Sequence, residues 1–173
     1  MNDLPSLAFT EEDLDRLLHK WNEESKRSRW TLAAAGCAKK RDPRRELAKW
    51  VEGEARARLA GLGYTVTRMG PLDHFDLLVE GLRVEVKGAT WSGCRYEANL
   101  RDNEADLLVF GCLDGSLHFF VMPFDVVRGR TVIKVTSHDP RDYMGRWAPY
   151  YEAWAWVADL KATCVNPWQL PLF

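Results

Sequence analysis

Two periods of apolar residues divide the chain. In "FTEEDLDRLLHKWNEESKR", Leu14, Leu17, Leu18 and Trp21 recur at helical spacing behind Thr10 as N-cap and an acidic first turn, which predicts a helix. "AAAGCAKKRDPRR", with Gly36 and the Asp42-Pro43 break, reads as a linker. A second helix is predicted over "RRELAKWVEGEARARLAGLG", with Leu47, Val51, Ala55, Leu59 and Leu62 as its apolar stripe and Gly63 as its stop. From Tyr64 onward the period shortens to that of strands. "YTVTRM", the two arms of "HFDLLVEGLRVEVKG" around Glu80-Gly81, "RYEANL", "DLLVFGCL", "LHFFVM" and "TVIKVTS" are each predicted as extended, with "RDNEA" a short turn or helical piece between. "DYMGRWAPYYEAWAWVADL" is predicted to close the chain as a helix. Its Trp147, Tyr150, Tyr151 and Trp154 lie at i, i+3, i+4 and i+7, which favours core or dimer packing over stacking on bases. The order helix, helix, strands, helix describes an α/β or α+β domain with a mixed sheet.

The length of 173 residues suits one domain with a real core, and 46% apolar with 28% charged residues is ordinary globular composition. The formal net charge of -1 gives no global basic field. Positive charge is instead concentrated early, in Lys26, Arg27, Arg29, Lys39, Lys40, Arg41, Arg44 and Arg45, a run that reads first as solvated surface. Cys37, Cys94, Cys112 and Cys164 have no zinc-knuckle or CxxC spacing and are expected to be reduced. With no secretory pattern at the start and no membrane-length apolar run, the expected location is cytoplasmic. Scattered histidines, no Gly-x-Ser-x-Gly elbow and no Walker-type loop exclude several common catalytic classes.

The charges within "HFDLLVEGLRVEVKG" are the feature with chemical content. If Glu80 and Gly81 form a two-residue hairpin loop, Val79 faces Leu82 and Asp76 faces Glu85. One face then carries Leu77, Val79, Leu82, Val84 and Val86, and the other Asp76, Leu78, Arg83, Glu85 and Lys87. Opposed Cβ atoms are about 4.5–5.5 Å apart, so two carboxylates there repel unless a cation lies between them. A hard divalent ion such as Mg²⁺ suits that pair, and the Lys87 ammonium beside it suits an attacking water or a phosphate. A solvated sheet face has the same alternation, and both readings stand on these residues alone.

Further residues give the pattern company. "FDLLVEGLRVEVKG", the upstream helix "EGEARARLAGLGY" and the following apolar "DLLVFGC" together resemble the PD-(D/E)XK nuclease superfamily, which includes restriction endonucleases and Holliday-junction resolvases. The likeness runs from about Glu46 to Met122. It implies a restriction-endonuclease-like αβββαβ core with a central mixed β-sheet flanked by helices, to which the residues outside the likeness add the helices predicted at both ends. Residues 1–45 would form an N-terminal helix and basic linker, 46–122 the catalytic core, and 123–173 a strand and Trp-rich helix of a single domain. The implied activity is DNA phosphodiester hydrolysis dependent on Mg²⁺, for which Mn²⁺ substitutes. Asp76 and Glu85 would ligate the metal, Glu52 of the helix would complete the site, and Lys87 would position or activate water. Glu54 rivals Glu52, while Glu46 points away from the stripe. The Pro of the motif is Phe75 here; Asp73 lies off the paired register, and His74 reads as a strand-start residue before it reads as a phosphate contact. Arg95, Asn99 and Arg101 are the candidate DNA contacts, and Asp106 is expected in a cap or salt bridge. DNA is the implied partner, with no membrane, and a homodimer is compatible. The alternative is a non-catalytic nucleic-acid-binding or assembly module on the same fold.

Overall fold

The computed structural model describes residues 42–70, 73–101 and 104–164. The chain divides into two compact units, Met1–Glu46 and Leu47–Phe173, and the site lies in the second. The helix expected over 9–27 and the basic interval through Arg41 lie outside the described residues.

Helix α1 spans Pro43–Gly61. Asp42-Pro43, expected to close a linker, opens this helix instead. Asp42 Oδ1 accepts the Arg44 N–H at 3.1 Å, and Pro43 takes the first helical position, where no N–H is needed. At the other end Gly63 adopts φ 91°. The Tyr64 N–H reaches the Leu59 carbonyl and the Gly63 N–H reaches that of Ala60, a Schellman stop.

A mixed sheet follows in the order β1-β2-β3-β5-β6. Its strands are β1 (Val66–Arg68), β2 (Leu77–Val79), β3 (Leu82–Thr90), β5 (Leu107–Asp114) and β6 (Ser116–Pro123). β3 and β5 run parallel and the other neighbours antiparallel. Where the αβββαβ pattern has a helix between β3 and β5, the described residues hold β4 (Tyr96–Asn99), which leaves the sheet to pair with β7 (Val132–Val135).

The closing segment is not the continuous helix its aromatic spacing predicts. It begins with two short 3-10 turns, Pro140–Asp142 and Ala148–Tyr150, and only Trp156–Cys164 is α-helical (α2). Three local features interrupt it: Pro149, a left-handed Glu152 at φ 46°, and a bridge from Tyr151 to Phe120 on the sheet edge. No helix among the described residues is long and apolar enough to cross a membrane.

Alternation on the strands gives the sheet two covered faces. Leu77, Val79, Leu82, Val84, Val86, Val109 and Val121 pack under α1 through Val51, Ala55 and Leu59, and under α2 through Val157. On the opposite face Ala89, Leu108, Phe110, Cys112, Phe120 and Met122 are covered by Tyr96, Ala98, Ile133 and Val135 of the β4–β7 ribbon, and by Trp147. The notch for α1 is made by two glycines paired across β3 and β5, Gly88 and Gly111. A Cβ on Gly88 would lie 2.8 Å from Val51 Cγ2, and one on Gly111 2.6 Å from Val51 Cγ1. The helix therefore sits close on the sheet beside Lys87.

Candidate active site

The β2–β3 loop is Glu80-Gly81, with φ of 51° and 94°. Positive φ at both positions marks a type I′ turn, whose twist matches the flanking strands. It fixes the register Leu77↔Val84, Leu78↔Arg83, Val79↔Leu82. The ladder ends there: the Asp76 N–H goes to the Val84 carbonyl at 3.0 Å, so the expected facing of Asp76 with Glu85 is not part of the register, and the two carboxylates come together only as lining of one cleft. The Glu80 side chain holds the loop in place by accepting the Lys161 ammonium of α2 and the Thr65 N–H. The bond from Lys161, then that from Thr65, keep its carboxyl at about 2.

Asp76, Glu85 and Lys87 line one cleft of about 490 Å³ with Asp73, His74, Phe75, Asn99 and Arg101. Asp76 Oδ2 accepts the Val86 N–H at 2.7 Å, which fixes that carboxylate against β3 and leaves its second oxygen for another partner. Glu85 is buried at 6% exposure because the β4–β7 ribbon covers its face of the sheet. Its carboxylate accepts the Lys87 ammonium, two residues on along the same face. A buried carboxylate needs such a partner, since desolvating a lone charge costs several kcal/mol.

The other expected residues fall into two groups. Asn99, at the end of β4, and Arg101 just beyond it line the cleft; the Leu100 N–H reaches the Thr131 carbonyl at 2.9 Å and ties this end to the ribbon. Glu52 and Arg95 are not among the lining residues. Glu52 accepts Arg68 Nε of β1 at 2.6 Å, Glu54 is exposed, and Arg95 pairs with Glu97. Asp106 forms the salt bridge expected of it, taking Arg83 Nη2 at 2.9 Å and Nε at 3.0 Å. Desolvation raises its carboxyl, but the Arg83 bonds outweigh that and hold it below the ordinary range. They also withdraw Arg83 from the charged row.

Asp73 and His74, given little weight in the sequence, line the cleft as well. Asp73 Oδ2 accepts the Gly70 N–H at 2.7 Å. Their position directly before β2 was the available signal, but strand register says nothing about residues preceding the strand. Cys94 and Cys112 are free thiols, and burial raises that of Cys112.

No protein-family model matches the chain, and no curated protein matches it in sequence. Among solved structures it is similar to a bacterial homing endonuclease, I-Ssp6803I, with a TM-score of 0.59 and 26% identity over 70% of this chain and 96% of that one. The chain thus shares an endonuclease-like α/β fold.

Proposed function

We propose that this protein is a metal-dependent DNA endonuclease of the PD-(D/E)XK type, with its hydrolytic site at Asp76, Glu85 and Lys87. The observation carrying the reading is the convergence of these three side chains in one cleft, with Glu85 buried and charge-paired. A fold that needed only stability would gain as much from apolar residues there. Likeness to a bacterial homing endonuclease supports the endonuclease part of this reading.

The donor set fits a hard cation. Among the described residues no three His, Cys, Asp or Glu side chains form a cage. Mg²⁺ is commonly held by one or two carboxylates, with water and substrate phosphate supplying the rest. Asp76 and Glu85 are the residues that would hold it, and Glu52, paired with Arg68, would join only by exchanging that partner. When bound, the ion supplies Lewis-acid charge at the scissile phosphate and a more acidic water. Lys87 neutralises Glu85 and holds the attacking water or takes up charge on the phosphoryl oxygens. Asn99 and Arg101, on the same cleft wall, orient the phosphodiester. A homodimer, offering one cleft to each strand, belongs to the same proposal, and sedimentation with and without DNA tests it.

The functional test incubates the full chain with single-stranded, duplex and branched DNA in Mg²⁺, Mn²⁺ or EDTA. Metal-requiring cleavage with 5′-phosphate ends is expected. Binding that persists in EDTA with no cleavage in either metal would instead identify a non-catalytic module.

A further inference from the structure

We propose that a cationic track leads out of the cleft across the end of the β4–β7 ribbon, from Arg101 to Arg130 and Arg146, and binds the phosphate backbone of duplex DNA flanking the cleaved bond. This rests on the nuclease reading for its substrate, and on separate residues for its evidence. The ribbon register pairs Asn99 with Val132, and Leu100 bonds to Thr131. Arg101 of the cleft wall follows Leu100 and Arg130 precedes Thr131, so the two arginines flank this last bond at the open end of the ribbon. The Arg130 guanidinium lies 5.6 Å from the Trp147 ring centroid, and that of Arg146 lies 5.0 Å from the same ring. Trp147 is itself fixed, buried at 5% exposure with its indole N–H donated to the Lys134 carbonyl at 3.1 Å.

Three features favour an anionic polymer. First, Arg101, Arg130 and Arg146 are exposed, and none has a carboxylate partner among the described residues. Arg58, Arg68, Arg83, Arg95, Arg128 and Arg141 each meet an Asp or Glu, and the other described arginines that do not, Arg44, Arg45 and Arg56, belong to α1. Second, cation–π attraction to an aromatic ring steadies a guanidinium without using its N–H groups on a carboxylate, which leaves them to fork onto phosphate oxygens. Third, the track starts at the wall of the cleft where the scissile phosphate would sit, so a continuous backbone passes from one to the other. A net charge of -1 over the whole chain makes this concentration local.

The test measures duplex DNA binding in EDTA by fluorescence anisotropy over a range of salt, for the wild type, Arg130→Gln/Arg146→Gln and Arg130→Lys/Arg146→Lys. Each lost phosphate contact lowers the slope of log affinity against log salt by about one, so the Gln pair should lose about two and bind roughly tenfold more weakly at moderate salt. The Lys pair should keep most of the slope, although it loses the guanidinium fork. Circular dichroism checks that both fold, and Arg56→Gln on α1 serves as a charge control. An unchanged slope in the Gln pair overturns the track, as does an equal loss in the Arg56 control or stronger binding to duplex RNA. Wild-type cleavage is scored separately. Cleavage with an unchanged slope sinks only the track, whereas an arginine-dependent slope without cleavage sinks only the nuclease reading.

Discussion

Val86 donates its backbone N–H to Asp76 Oδ2 at 2.7 Å. The residue following Glu85 thus holds in place a carboxylate that lines the same cleft as Glu85. Asp76→Asn keeps an acceptor for this N–H, and Asp76→Ala does not. We expect the Asn variant to lose less than about 1 kcal/mol and the Ala variant about 1–3 kcal/mol, both with cleavage abolished. Urea denaturation and a cleavage assay check this, and an Asn variant that still cuts would remove Asp76 from the site.

Glu85 and Lys87 form a pair whose members differ in burial, with side-chain exposures of 8% and 26%. Lys87→Met deprives a buried carboxylate of its ammonium and should destabilise by about 2–4 kcal/mol. Adding Glu85→Gln should recover much of that loss without restoring cleavage. Strict additivity in the double-mutant cycle would show that the two do not interact.

The glycine notch should tolerate no side chain. Gly111→Ala places a Cβ 2.6 Å from Val51 Cγ1, and overpacking of that kind costs about 1–3 kcal/mol. Combining it with Val51→Ala should cost less than the sum of the two single changes. Thermal melts of the four proteins decide it.

Acid should loosen the hairpin from α2. The folded carboxyl of Glu80 stands at about 2, below the ordinary 4.5, chiefly through Lys161 and then the Thr65 N–H. A depressed carboxylate contributes stability that is present above its unfolded pKa and lost as pH falls through the folded one. The stability difference between wild type and Glu80→Gln should therefore be constant near neutrality and shrink from about pH 5 toward pH 2. Urea midpoints across that range check it, and a difference that grows on acidification would contradict it.

Much of this was legible beforehand, because period-two alternation is a strong signal and Glu-Gly is a turn with a mechanism. The seven strands of the described residues and the hairpin register follow from it, whereas the facing of Asp76 with Glu85, expected one step beyond that register, is not part of the ladder. What the sequence concealed depends on tertiary partners. Glu52 was expected to complete the site from α1, yet only the structure shows Arg68 taking it and the cleft lined without it. The aromatic row of the C-terminal segment has helical spacing, but Pro149 and the bridge from Tyr151 to Phe120 decide otherwise. The burial of Glu85 comes from a ribbon whose two strands are far apart in sequence.

The most direct measurement is the single-turnover rate of duplex DNA cleavage in Mg²⁺ by wild type and Lys87→Ala, with DNA saturating for both. If Asp76, Glu85 and Lys87 form the hydrolytic site, the variant should bind DNA but cut it at least about 100-fold more slowly, and EDTA should stop the wild type. A variant that cuts at the wild-type rate, or cleavage indifferent to EDTA, would contradict the account.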